Sequence, residues 1–260
     1  MLRLIDTHCH LAHERLKHRA GEVLQRAHDA GVRAVICASG DLAEAGAAMG
    51  LAGQYGDVYF TVGVQPHEAR SAGKDYLDRI RLLAHNDRNV AIGEIGLDYH
   101  YELSPREDQR RVFAEQLALA ADMAKPVVIH TREAFDETLA ILAESRVEGQ
   151  RVVFHSFTAG RHQARQVLEM GATISFSGIV TFSKAGELRR AAALVPDDRI
   201  LVETDAPYLA PEPVRKMKTN EPGNVVHVVR RLAAIRGTTD KKIAEITSAN
   251  AMRLFHPVIS

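Results

Sequence analysis

Eight times along this chain a short run of β-branched and apolar residues gives way to a longer segment whose apolar residues recur at helical spacing. The runs predict strands near 3 to 9, 33 to 38, 58 to 64, 90 to 95, 126 to 130, 151 to 155, 172 to 176 and 200 to 204. Helical stretches are expected near 19 to 30, 42 to 54, 75 to 86, 106 to 123, 133 to 146, 161 to 170, 185 to 194 and 223 to 236, with one more near 240 to 254. Repeated βα units make a parallel sheet, and eight of them suggest a closed (β/α)₈ barrel of the TIM type. An open, doubly wound sheet is the structural rival, but it would gather its ligands at one switch point rather than from strands spread along the chain.

A length of 260 residues is ordinary for one such barrel, so a single domain over 1–260 is expected. No apolar run approaches the length of a membrane span, and the first residues lack the features of a secretory leader, so a cytoplasmic protein is expected. Cys9 and Cys37 both fall inside buried strand segments and are read as reduced packing residues. The formal net charge is zero, which argues against a broad basic surface that grips duplex nucleic acid by counterion release. Any such contact must be local, and the densest basic cluster is Arg215, Lys216 and Lys218, in the Pro-rich stretch after Asp205. The bland alternative for that cluster is a solvated loop.

The chemistry lies where the strands end. In Leu4-Ile5-Asp6-Thr7-His8-Cys9-His10, alternation along a strand puts His8 and His10 on one face and Cys9 on the other. Glu94, His130, His155 and Asp205 close the fourth, fifth, sixth and eighth runs. In a closed barrel all of these positions face one mouth. Four imidazoles and two carboxylates exceed the needs of one tetrahedral ion and suit two divalent ions, roughly 3.5 to 4 Å apart, bridged by a carboxylate and a water. Phosphoester hydrolysis fits that set. His130 and His155 taken singly could be satisfied core histidines, and Asp205 could simply cap a turn; the repeated strand-end position favours the metal reading. His13, His18, His28 and His85 fall on helices or loops, where a solvated surface is the default.

Several motifs in order resemble the TatD family of metal-dependent deoxyribonucleases, within the amidohydrolase-like barrels. They are DTHCH at 6–10, GVQPHEA at 63–69, GEIGLDY at 93–99, VIHTREA at 128–134, HSFTAG at 155–160, SFSGIVTF at 175–182 and ETDAPYLAP at 203–211. The resemblance implies a divalent-metal hydrolase of DNA, often trimming single strands from the 3′ end. Carried over by motif, it implies that His8, His10 and Asp205 hold one ion, that His130 and His155 hold the other, and that Glu94 bridges them. Asp205 would also take a proton from the attacking water, and His67 would lie on the substrate side. Arg132 is a candidate phosphate contact, although a helix start explains it equally well, and Arg215 and Lys218 are candidate contacts in the basic loop.

This chain departs from the family pattern at two places. Gln65 stands where members usually carry histidine, and a carboxamide cannot carry a proton. Lys218 stands where an arginine tends to precede the Asn-Glu-Pro run, and lysine lacks the bidentate fork of arginine. Two rival readings follow: a carbonyl hydrolase using the same ions, such as a deacylase of mischarged tRNA, and a metal-loaded binding protein without turnover. Histidine and carboxylate mixtures accept zinc, manganese, magnesium and nickel alike, so the residues do not choose the ion. No obligate protein partner and no membrane contact are expected.

Overall fold

The computed structural model describes residues 2–256. Its strands are β1 (Leu4–Cys9), β2 (Val32–Cys37), β3 (Val58–Val62), β4 (Asn89–Asp98), β5 (Val127–Arg132), β6 (Val152–Phe154), β7 (Thr173–Phe176) and β8 (Ile200–Val202). They form one parallel sheet in chain order from β1 to β8. The helices are α1 (Ala20–Asp29), α2 (Leu42–Gln54), α3 (Tyr76–Ala84), α4 (Arg106–Asp122), α5 (Phe135–Glu144), α6 (Arg161–Glu169), α7 (Gly186–Leu194), α8 (Val225–Arg236) and α9 (Asp240–Phe255).

Strand alternation divides the apolar residues into two cores. One fills the barrel interior with Ile5, Ile36, Tyr59, Val128, Val153 and Leu201, and Ala251 and Phe255 of α9 join it. The other, larger core lies between the strands and the helices and takes in Cys9 and Cys37, which face each other across β1 and β2. Helix α9 is fastened across the N-terminal end of the barrel, because Ser248 Oγ donates to the Arg3 carbonyl and Asn250 Nδ2 donates to the carbonyls of Asp197 and Ile200. The C-terminal end is left open for a site. Among the described residues no helix is long and apolar enough to cross a membrane.

The helices and strands lie where the periodicity predicts them, with one instructive difference. β4 and β5 continue past their apolar runs and stay paired as far as Asp98 and Arg132. Arg132 therefore ends a strand rather than starting a helix, and α5 begins at Phe135. Pairing satisfies backbone groups whatever the side chains are, so the ladder extends into polar sequence. The two strands approach so closely at Gly96 (φ 139°) that a Cβ there would lie 1.9 Å from the His130 carbonyl oxygen, which only glycine tolerates.

The seam between β8 and β1 is built differently. Thr7 Oγ1 donates to the Val202 carbonyl at 2.9 Å, the Asp205 amide donates to the His8 carbonyl at 2.9 Å, and the His10 amide donates to the Ala206 carbonyl at 2.6 Å. Beside these bonds the buried Asp6 carboxyl accepts the Thr204 amide at 2.9 Å and the Thr204 hydroxyl at 2.5 Å. Desolvation lifts Asp6 to about 8, so the folded chain keeps a proton that an unfolded one releases above about pH 4. Asp6 thus lowers stability progressively as pH rises from about 4 to its folded value, and not further above it. Asp6→Asn preserves the shape of the neutral acid, and the Thr204 hydroxyl can turn to accept from the amide. Urea unfolding of metal-free protein should therefore show the variant gaining on its parent between about pH 5 and about pH 8; a pH-independent difference would mean that Asp6 is ionised in the fold.

Candidate metal centre

Glu94 is the centre of the open end of the barrel. Its Oε2 lies 3.6 Å from Nε2 of both His8 and His10, and its Oε1 lies 2.9 Å from His130 Nδ1 and 3.0 Å from His155 Nε2. Each oxygen thus faces its own histidine pair. Within each pair the facing nitrogens are 3.4 Å apart, about the separation of two imidazoles at 2.0–2.1 Å from one tetrahedral ion. Asp205 Oδ1 joins the first group at 3.6 Å from His10 Nε2 and 3.8 Å from His8 Nε2. It is placed there by a left-handed backbone (φ 55°), a conformation in which aspartate is enriched. The two groups could hold two divalent cations that share Glu94, and the donors are of the kind such cations take, imidazole nitrogen and carboxylate oxygen.

Carboxylates orient three of the four imidazoles from behind. Glu44 Oε1 lies 3.4 Å from His10 Nδ1, Asp98 Oδ2 accepts from His130 Nε2 at 2.9 Å, and Glu203 Oε1 lies 3.3 Å from His155 Nδ1. Such partners fix the ring and its tautomer and leave the inward nitrogen free for a cation. His8 has no such partner: Nδ1 is buried without a hydrogen bond, and the ring stacks on His155 at 4.0 Å. Burial, reinforced by the charge of His155, holds His8 well below its usual pKa.

The other groups titrate as a charge cluster. Burial works against protonating His10, His130 and His155, yet Asp205 and Glu44 outweigh it at His10, Asp98 and Glu94 at His130, and Glu94 and Glu203 at His155, so all three are raised. Burial likewise works against ionising Glu94, but the surrounding imidazoles win and keep it well below the carboxylate range. Without a cation the site balances its carboxylates with protons. Divalent ions would displace those protons, so affinity for them should rise with pH.

All six residues read from the sequence as donors are brought together. Of the substrate-side candidates, His67 reaches the site: its Nε2 lies 3.1 Å from Asp98 Oδ2, the same oxygen that accepts from His130 Nε2. Arg132 is exposed and rests over the Tyr101 ring at 4.6 Å. Arg215 covers the Phe182 ring at 3.7 Å, and Lys216 and Lys218 are exposed. Among the described residues no ion pair neutralises Arg215, Lys216 or Lys218. Asn220, in the following Asn-Glu-Pro run, anchors this loop by donating from Nδ2 to the carbonyls of Thr204 and Tyr208. Gln65 packs on Gly40, where a Cβ would lie 2.5 Å from its Nε2, and the Gly40 amide in turn donates to Glu44.

Sequence reasoning missed the three orienting carboxylates. Asp98 had a signal, since it follows Glu94 at even spacing on one strand and so shares its face. Glu44 reads as part of a helix start: Asp41 caps the Glu44 amide at 2.7 Å, and Glu44 Oε2 accepts the Gly40 amide at 2.7 Å. Its other oxygen serves His10.

A (β/α)₈ barrel with histidines and carboxylates converging at the C-terminal mouth defines the class of metal-dependent hydrolases. The family described as TatD related DNase matches residues 5–256, and the chain belongs to that family. It is 37% identical to the metal-dependent hydrolase YabD of Bacillus subtilis over 97% of this chain and 98% of the relative. It is 35% identical to the 3′-5′ ssDNA/RNA exonuclease TatD of Pectobacterium parmentieri, over 97% and 99% of the two chains. Among solved structures, YjjV, a TatD homologue from Escherichia coli, superposes with a TM-score of 0.92 at 28% identity and covers 98% of each chain.

The orienting role of Asp98 yields a direct expectation. Asp98→Asn should weaken divalent-ion binding by roughly 10- to 100-fold with the fold retained, as read by calorimetric titration of Mn²⁺ into metal-free protein. Unchanged affinity would show that His130 needs no such support.

Proposed function

We propose that this chain is a phosphodiesterase that trims single-stranded DNA from the 3′ end and uses two divalent ions held by His8, His10, Glu94, His130, His155 and Asp205. The observation that carries the reading is Glu94, one carboxylate with an oxygen directed at each of two histidine pairs. Two cations bound there would supply Lewis-acid activation of a water and of the phosphate. The chain's own groups do the rest. Asp205, with its Oδ1 toward His8 and His10 and its side chain 14% exposed, can take the proton from the attacking water. His67 lies beside the second group, with its Nε2 3.1 Å from Asp98 Oδ2 and its ring 5.9 Å from that of His130. Arg215, Lys216 and Lys218 offer unpaired positive charge on the same side of the barrel, which suits a polyanion better than a carbonyl substrate. The name of the Pectobacterium relative supports a single strand and the 3′-5′ direction.

The test strips the protein of metal, restores Mg²⁺ or Mn²⁺, and follows end-labelled single-stranded DNA beside Glu94→Ala and Lys216→Glu/Lys218→Glu. The parent should produce a metal-dependent ladder that shortens from the 3′ end. Glu94→Ala should lose it, and the charge reversal should raise KM at least several-fold, more so at low salt. Cleavage of an aminoacyl ester with no cleavage of DNA would replace this reading with the carbonyl hydrolase.

A further inference from the structure

Exposed aromatic rings stand at the mouth of the barrel. Of the large apolar side chains exposed among the described residues, Tyr101, Leu103, Tyr208 and Met217 lie in the loops after β4 and β8, while Leu82 lies on α3 and Met252 on α9. The two tyrosines, 55% and 43% exposed, flank opposite halves of the centre. Tyr208 stands edge-on to His10 at 6.0 Å, next to the half that Glu94 Oε2 faces. Tyr101 stands edge-on to His67 at 5.7 Å, and His67 lies 5.9 Å from His130, next to the half that Oε1 faces.

Each ring has its own arginine. Arg132 lies over Tyr101 at 4.6 Å, and Arg15 lies over Tyr208 at 5.7 Å, both within cation–π range. Each loop is also fastened to the centre. Asp98, which orients His130, accepts the Tyr101 amide at 2.9 Å through Oδ1, and the Tyr208 amide donates to the Asp205 carbonyl at 2.9 Å. An exposed aromatic ring costs favourable burial, and a ring held beside a charged centre with an arginine on its face is the arrangement that stacks a nucleobase while the guanidinium meets the backbone.

We infer that Tyr101 with Arg132, and Tyr208 with Arg15, form two nucleobase-stacking subsites on either side of the scissile phosphate, so that the site takes an unpaired strand with its two flanking bases splayed apart. The inference rests on the phosphodiesterase reading and narrows its substrate. Bases paired in a duplex cannot turn outward in opposite directions to reach both rings, whereas unstacked bases of a single strand can. Stacking on a ring does not read base identity, so the clamp tolerates any sequence.

The test uses metal-loaded protein and two readouts. In the first, Tyr101→Ala and Tyr208→Ala are each expected to raise KM for a single-stranded oligonucleotide roughly tenfold, with a much smaller change in kcat, and Phe at either position should restore it. In the second, the scissile link is replaced by a methylphosphonate and 2-aminopurine is placed on one side of it or the other. Binding to the parent protein should quench the fluorescence, and each alanine variant should abolish the quench for its own side only. A loss of kcat at constant KM, failure of Phe to rescue, or quenching retained in both alanine variants would overturn the clamp. Hydrolysis of DNA without quenching would remove the clamp and leave the phosphodiesterase reading standing. Side-specific quenching without hydrolysis of any diester would do the reverse.

Discussion

One buried carboxylate, Glu94, sets the terms for the rest of the barrel. A carboxylate with almost no solvent exposure must be met by positive charge or hydrogen-bond donors, since an uncompensated buried charge costs several kcal/mol. Four imidazoles converge on it, and they reach it from β1, from β5 and from just beyond β6, so the strands must be in register for the charge to be met at all. The close approach of β4 to β5 at Gly96 brings His130 to the same point. Packing and electrostatics therefore favour one arrangement of the chain. The apolar interior, plugged by α9 at the far end, supplies rigidity without competing for the donors.

The carboxylates behind the histidines extend this order outward. Glu44 is held by the start of α2, Asp98 by the amides of His100 and Tyr101, and Glu203 by the amide of Ser156. Each outer carboxylate is thus tied to backbone, and each passes its position to an imidazole. Motion of the loop after β4 is coupled in this way to the orientation of His130, and motion of the α2 start to that of His10. Only His8 depends on ring stacking instead, which makes the β1–β6 contact sensitive to how His155 sits.

Much of this was legible from residue order, and what was not shares a physical cause. His8 and His10 could be placed on one face because strand alternation is strict, and the strand-end donors could be collected because parallel strands all point one way. Asp98 escaped, and Arg132 reads as a helix start or phosphate contact and not as a strand end, because apolar periodicity marks only the part of a strand that is buried, while pairing runs on through polar residues. Glu44 escaped because a helix start explains an acid in that position fully. Tyr101 and Tyr208 gave no periodic signal at all: residues in loops show their meaning only through neighbours distant in sequence, such as Arg132 and Arg15.

The seam between β8 and β1 ties this geometry to the order in which the chain is made. Of the residues that close the barrel, His8, His10 and Asp205 are also those that complete one half of the centre. During synthesis five of the six donors emerge in the first 155 residues, yet the last, Asp205, arrives only with the strand that shuts the ring. A nascent or truncated barrel therefore lacks both closure and a complete donor set for the same reason. Closing the ring and completing the donor set are thus a single event in the folding of this chain.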